Sequence, residues 1–436
     1  MPTNHRKPAL SFIFITLLLD IIGFGLLIPI LPKLIEQMEG GNVAAAAQKV
    51  GLLTLAYAVM QFFFAPVLGS LSDRFGRRPV ILVSLFGSSV DYLMMAFAPT
   101  LPWFFLGRLV NGVSGANITA ATAYIADISP PEKRAANFGL IGAAFGLGFI
   151  LGPALGGWLG VPHPGLVAHL PAALADWLTA QHLRLPFYFA AGVTLLNWLY
   201  GFFVLPESLA PENRRAFSWR RANPVGSLTA LGRYPIVVRL AASLFLVNVA
   251  QFMLHSIWAL YTGHRYGWTP QQIGLSLAFV GLMAAVVQGG LARKIIPRLG
   301  EARSVLIGFA IGAVSYVGYA LATKGWMLYP VLGFACLGGI GAPAVQGLIS
   351  RHTPANEQGA VQGALTSLAS LGQIIAPLLA TQLFAYFITP RAPVALPGAP
   401  FFVSSLLTIA ALVLAERALK RFAHSETVPA KASAAV

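Results

Sequence analysis

About twelve apolar stretches of helical length follow one another along this chain, at roughly residues 10–31, 51–71, 79–98, 101–126, 138–160, 185–206, 237–262, 271–293, 303–322, 326–349, 359–388 and 398–419. Each can cross a hydrocarbon core of roughly 30 Å as a helix of about 20 residues. Inside a bilayer every backbone polar group must be satisfied by the protein, which leaves helices or closed barrels. A barrel would show short segments of alternating hydrophobicity, whereas these runs are continuous. The fold class expected is therefore an all-α membrane protein of twelve transmembrane helices. With 57% hydrophobic and 10% charged residues, the composition lies far from the soluble norm of about 25% charged.

The formal charge of +15 and the pI near 10.2 raise the question of a nucleic-acid partner. The placement of the charges answers it. Arg and Lys gather in alternate loops: Arg74, Arg77 and Arg78; Lys133 and Arg134; Arg214 to Arg239; Arg293 to Arg303; Arg351; and Arg417 to Arg421. Lys33, Lys49, Arg184, Arg265, Lys324 and Arg391 fall on the other side. This asymmetry is the positive-inside rule, and it puts both termini in the cytoplasm. No basic face is interleaved with aromatics, so no nucleic acid is expected as a partner. Cys336 is the only cysteine, which excludes an intrachain disulfide and a thiolate metal cluster. The opening apolar run is long, holds Asp20 and lacks a small-x-small cleavage site, so it reads as an uncleaved first helix.

The Pro- and Arg-rich stretch PESLAPENRRAFSWRRANPVGSLTALGRYP breaks the hydrophobic pattern in mid-chain. It divides the chain into a six-helix half at 1–206, a cytoplasmic linker at 207–236, a second six-helix half at 237–420 and a cytoplasmic tail at 421–436. The halves echo each other: PRLGEARSV after the eighth stretch resembles SDRFGRRPV after the second. Such duplication is expected of transporter halves related by an axis along the membrane normal. The outer loop 161–186 is unusually long. Its middle, Pro171 to Leu183, has the pattern of a short interfacial helix with Leu174, Trp177 and Leu178 toward lipid. The segment from Ser425 onward reads as a disordered tail.

A charged side chain at membrane depth costs at least about 2.5–3.5 kcal/mol, so each one needs a reason. The first half has three: Asp20, Asp91 and Arg108. Arg108 cannot lose its proton and serves as a fixed counter-charge. Either aspartate beside it stays ionised while paired, and desolvation favours its neutral form once the pair breaks. That defines a protonation switch, with the pairing aspartate left open between Asp20 and Asp91. Asp127 reads as a surface or capping group. The second half holds no acid deep within a span, and its embedded polar groups are chiefly Asn248, Gln251, His255, Gln288, Gln346, Gln362 and Gln373. A cavity between the halves would thus be acidic on one side and amide-rich on the other, a surface that suits a polar aromatic or weakly cationic solute.

Two motifs add specificity. Gly69 to Arg78, GSLSDRFGRR, is a charged turn between two apolar stretches, and it resembles the G-x-L-x-D-R-x-G-R-R signature of the major facilitator superfamily at every position. In the fifth stretch Gly148, Gly152 and Gly156 recur every four residues and share a helix face able to pack against another helix. With Pro153 and Gly157 they resemble the antiporter signature G-x-x-x-G-P-x-x-G-G of the same superfamily. Segments such as LLLDIIGFGLLIPILP, YIADISPPEKRAANFG, LPES and GGIGAPAVQGLISR extend the resemblance to the tetracycline/proton antiporters over nearly the whole chain. This resemblance implies that Asp20, Asp91 and Arg108 couple protons, and that Gly69, Asp73, Arg74, Gly76, Arg77 and Arg78 form the inner gate. Gln61, Asn117, Asn248, His255, Gln288 and Gln346 are then candidates for the substrate cavity. The resemblance also implies a His in span eight and an Asp in span nine, where this chain has Ala284 and Gly312.

No phosphate loop G-x-x-x-x-G-K-[ST], G-x-S-x-G or H-E-x-x-H occurs in the sequence, so neither nucleotide hydrolysis nor a hydrolase is expected. The expected function is proton-coupled antiport that exports amphipathic drugs, tetracycline-like compounds foremost, from a bacterial inner membrane. The alternative is a facilitator-type exporter or carrier of another small molecule, a metabolite or sugar. The expected partners are the solute, protons and lipid. No cofactor or metal site is expected, although the cargo could arrive as a metal chelate, and the protein is expected to be a monomer.

Overall fold

The computed structural model describes residues 10–115, 117–130, 134–217, 235–353 and 358–427. Those residues form helices and connecting turns, with no strand among them. In chain order the first ten helices are α1 (Leu10–Leu27), α2 (Leu31–Met38), α3 (Val43–Phe75), α4 (Arg77–Phe97), α5 (Leu101–Ser114), α6 (Asn117–Ile128), α7 (Arg134–Leu159), α8 (Pro164–Val167), α9 (Ala172–Ala180) and α10 (Leu185–Val204). Then follow α11 (Pro235–Tyr266), α12 (Pro270–Val286), α13 (Ala292–Leu299), α14 (Glu301–Leu321), α15 (Leu328–Leu337), α16 (Gly341–Arg351), α17 (Gln358–Phe387) and α18 (Ala399–Thr427). Among the described residues, 11 helical stretches are long and apolar enough to cross a membrane.

The expected fourth span, 101–126, is the exception: it is split into α5 and α6 around Gly115. At the break the Gly115 carbonyl accepts from the Gln61 side-chain amide of α3 at 3.1 Å. Irregular backbone at membrane depth needs such a partner from within the protein. Two further interruptions were not legible in the sequence. The eighth span passes through a π-helical turn at Val287–Leu291, and the tenth through a 3-10 turn at Gly338–Ile340. Val287, Ala292 and Ile340 pack together there, with Cys336 against them.

Two compact units emerge from the packing: Met1–Pro224 with Ile257–Leu282 and Thr381–Ala395, and Val225–Ser256 with Met283–Ala380 and Leu396–Val436. In the first, Ile13, Leu17, Ile21, Val80, Ile81, Leu85, Tyr124 and Ile125 bury against one another. Helix α7 crosses α1 through the glycine face anticipated from the four-residue spacing. A Cβ on Gly152 would stand 2.8 Å from the Gly25 Cα, and one on Gly156 would overlap the Leu26 carbonyl. Lipid supplies no hydrophobic force between helices, so backbone approach of this kind does the packing. Gly157 meets Pro270 and Gln271 at the start of α12.

In the second unit Val237, Leu240, Val305, Phe309, Val345, Ile349 and Ala411 form the core. The internal echo is visible in the backbone here. Gly76 joins α3 to α4 at φ 108 and ψ 161, and Gly300 joins α13 to α14 at φ 78 and ψ 156, a conformation essentially restricted to glycine.

In the long 161–186 loop, α9 takes the place of the expected interfacial helix, with Leu174 and Trp177 exposed and Leu178 half-buried. At the other end the structure corrects the tail: α18 continues past residue 420 to Thr427, so Ser425 to Thr427 are helical. Lys420 pairs with Glu416 one turn back at 2.6 Å, a spacing that favours helix. Residues 428–436 lie outside the described residues, as does 218–234 of the expected linker.

Candidate functional site

The first cluster lies at the turn from α3 to α4. Gly76 turns the chain so that Arg77 folds back on α3, where its guanidinium donates to Asp73 Oδ1 at 2.5 Å and to Ser72 Oγ at 2.8 Å. Its Nε donates to Asp127 Oδ2 of α6 at 3.0 Å. Arg77 is thus buried between two carboxylates. Asp127, expected to be a surface or capping group, is exposed and is also a member of this cluster: its oxygen accepts from Ser208 Oγ at 3.1 Å as well. Arg74 points away and stacks over the Phe75 ring at 5.0 Å. A Cβ on Gly69 would meet only the Thr119 methyl, at an ordinary 3.6 Å, so of the two motif glycines Gly76 carries the geometric demand.

Sequence reasoning missed Glu207. Its carboxylate accepts from the backbone N–H groups of Arg77 (2.8 Å) and Arg78 (3.2 Å), and from those of Ser208 and Leu209 (both 3.0 Å). A helix N-terminus presents unpaired N–H donors and a partial positive charge, which a carboxylate satisfies. The last turn of α10 and the chain beyond it add two more ties: the Phe202 carbonyl accepts from the Arg78 guanidinium, and the Arg215 N–H donates to the Asp73 carbonyl at 2.9 Å. The LPES segment was quoted as part of the resemblance, but nothing in its spacing points to a cap 130 residues away.

The second cluster is deep in the first unit. Asp91 of α4 is fully buried, and its Oδ2 accepts from the Arg108 guanidinium and from Asn111 Nδ2 at 2.7 Å, both on α5. Ser88 Oγ in turn donates to Asn111 Oδ1 at 3.1 Å and fixes the amide. Gly107 makes room for this arrangement, since a Cβ there would stand 2.5 Å from Asp91 Oδ1. The open question of pairing resolves in the structure: Asp91 is the residue on Arg108. Asp91 Oδ1 and Arg108 Nε have no hydrogen-bond partner among the described residues. Arg108 also lies over the Tyr57 ring at 5.7 Å. Asp20, half-buried on α1, lies within electrostatic reach of Tyr57 and Tyr92 and so belongs to the same neighbourhood. Gln61 joins it through Tyr57, donating to the phenol oxygen at 3.1 Å.

The second unit holds the remaining candidates. Gln251 and His255, one turn apart on α11, are hydrogen-bonded at 3.0 Å and both exposed. Tyr316 of α14 donates to Gln251 at 3.3 Å. Asn248 is half-buried on α11, Gln288 is exposed on the π-helical turn and Gln346 is exposed on α16. Among the described residues no hydrogen bond joins those three to the Gln251–His255 pair. Ala284 and Gly312 are half-buried, and a Cβ on Gly312 would meet only the Thr408 methyl at 3.6 Å. The Asn117 side chain lies outside the described set. No group of three or more His, Cys, Asp or Glu that could hold a metal ion occurs among the described residues.

Apolar helices of spanning length that enclose a buried carboxylate–guanidinium pair are those of a polytopic membrane protein. The family model described as Major Facilitator Superfamily matches residues 13–377, with a further match over 298–435. The chain belongs to the major facilitator superfamily, a family of transporters and not of enzymes. It is 40% identical over 377 residues to the tetracycline resistance protein, class C, of Escherichia coli, covering 86% of this chain and 90% of that protein. The crystal structure of the human organic anion transporter MFSD10 (TETRAN) superposes with a TM-score of 0.65 at 26% identity, over 93% of this chain and 98% of the other. An occupied, inward-facing bacterial homologue of the human lysosomal transporter Spinster gives a TM-score of 0.73 at 16% identity, over 97% and 98%, and shares the fold.

Proposed function

We propose that this protein is a proton-coupled antiporter that exports amphipathic drugs, tetracycline-like compounds foremost, across a bacterial inner membrane. The observation that carries the reading is the buried Asp91–Arg108 pair, set in a chain 40% identical to a tetracycline resistance protein. Arg108 keeps its charge, so Asp91 is the partner that can take up a proton, and its Oδ1 is the site open to receive one. Protonation removes the ionic attraction and lets α4 and α5 part, which couples a proton to a change of access. Asp20 supplies a second carboxylate on α1. At the inner mouth, Arg77 between Asp73 and Asp127 acts as the gate, with Gly69, Arg74, Gly76 and Arg78 shaping its turn.

The proton gradient supplies the free energy, no cofactor is needed, and both termini lie in the cytoplasm. The chain works as a monomer built from halves 1–206 and 237–420 about the 207–236 linker. A second reading rests on Ala284 and Gly312: with neither His nor Asp at those positions, recognition of a metal–tetracycline chelate loses its carboxylate, and another amphipathic solute would be the cargo. The deciding measurement is tetracycline uptake into inside-out vesicles under an imposed proton gradient, with and without magnesium. Gradient-dependent uptake supports drug export, and no uptake at either magnesium level rejects tetracycline as cargo.

A further inference from the structure

Gln251 lies at the middle of α11, and His255 follows one turn later; both are exposed side chains on a membrane-spanning helix. A polar side chain at that depth is unfavourable against lipid, so this face of α11 borders water or cargo. The hydrogen bonds fix which atoms are on offer. Tyr316 is buried, and its hydroxyl donates to Gln251 Oε1, which turns the amide nitrogen toward His255. That nitrogen donates to His255 Nε2 at 3.0 Å, so the imidazole proton resides on Nδ1. Two N–H donors then remain without a partner among the described residues: His255 Nδ1–H and the second amide hydrogen of Gln251.

We propose that Gln251 and His255 form a binding site for an oxygen acceptor of the cargo, a carbonyl or enolate on a planar amphipathic solute, with Tyr316 as the positioning residue that locks the amide. Both unpartnered hydrogens are donors and only one lone pair of Gln251 Oε1 is left to accept, so the pair is matched to the solute's own oxygens rather than to a bound cation. This inference rests on the drug-export reading and names the part of the cargo that the second unit grips.

The experiment uses the purified full chain with tetracycline as the probe, read by equilibrium dialysis and, separately, by uptake into inside-out vesicles. His255→Leu is expected to weaken binding about tenfold, the loss of one donor from a desolvated site. His255→Asn, which returns a donor near the Nδ1 position, is expected to recover most of it. Tyr316→Phe is expected to raise the half-saturating concentration about threefold while leaving the maximal uptake rate unchanged. That split separates positioning from a structural role, because a misfolded variant loses rate as well. Uptake by the intact chain with native affinity in His255→Leu and Tyr316→Phe overturns the inference and leaves the export reading standing. Binding without uptake, still weakened by His255→Leu, keeps the site and rejects export of this drug. Neither binding nor uptake overturns the inference and rejects tetracycline as cargo.

Discussion

Glu207 accepts the backbone N–H of Arg77 at 2.8 Å across 130 residues of chain, so the segment that follows α10 caps the first turn of α4. The cap and the ion bridge meet in one residue, since the Arg77 side chain joins Asp73 and Asp127 while its backbone is held by Glu207. Removing a helix cap costs about 0.5–2 kcal/mol. Glu207→Ala is expected to melt below Glu207→Gln, whose amide oxygen still accepts, and both below the native protein. Uptake should fall in the same order. A Glu207→Ala protein that melts and transports like the native one would remove the capping role.

The Asp91–Arg108 pair makes a prediction of a different kind. Removing one partner of a buried ion pair costs about 3–5 kcal/mol, because the other charge is left uncompensated, whereas removing both charges can be nearly neutral. Arg108→Gln alone should therefore lower the yield and melting temperature of the protein markedly. Asp91→Asn with Arg108→Gln should recover folding but not gradient-driven uptake. Thermal melting and vesicle uptake on the two single variants and the double variant decide this. If the double variant still accumulates drug in response to a proton gradient, Asp91 is not the coupling carboxylate.

How much of this was legible in the sequence depended on the range of the interaction. Spans such as α4, α10 and α14 came directly from continuous hydrophobicity, and the α7 glycine face came from a four-residue spacing. Local polarity likewise marked Asp20, Asp91 and Arg108 as costly, and the structure supplied the partner through Asn111 and Ser88, which sequence treats as unremarkable polar residues. The breaks at Gly115, Val287–Leu291 and Gly338–Ile340 stayed hidden, because hydropathy does not register how a backbone carbonyl is satisfied. The Arg77 partnership of Asp127 and the cap made by Glu207 were hidden for the same reason. Each residue sits near a helix end, where a carboxylate costs little, and its role comes from residues remote in the chain.

Helix α7 contains its own control. Gly148, Gly152 and Gly156 face α1 so closely that a Cβ would meet Ile21, Gly25 or Leu26, whereas a Cβ on Gly142 or Gly146 would meet nothing within 4 Å. Overpacking costs about 1–3 kcal/mol and more where backbone is struck. Gly156→Val and Gly152→Val are expected to lose uptake and stability, while Gly142→Ala and Gly146→Ala transport at the native rate. Loss of uptake in all four would point to a general intolerance of the helix and against the α1 contact.

The two joint glycines separate backbone strain from steric collision. Gly76 and Gly300 share a positive φ with extended ψ, a region that costs a residue with a Cβ about 1–3 kcal/mol. Around Gly300 a Cβ would find open space, so Gly300→Ala should show that strain and nothing more. At Gly76 a Cβ would also strike the Glu207 carboxylate, whose carboxyl carbon would stand 2.8 Å away. The collision would displace Glu207 from the N–H groups of Arg77 and Arg78, adding loss of the cap to the strain. Gly76→Ala should thus melt at a lower temperature than Gly300→Ala and lose more uptake. The difference should shrink when each is placed in a Glu207→Ala background, where the carboxylate is gone. If the gap between the two variants persists undiminished in that background, the demand at Gly76 has a source other than Glu207.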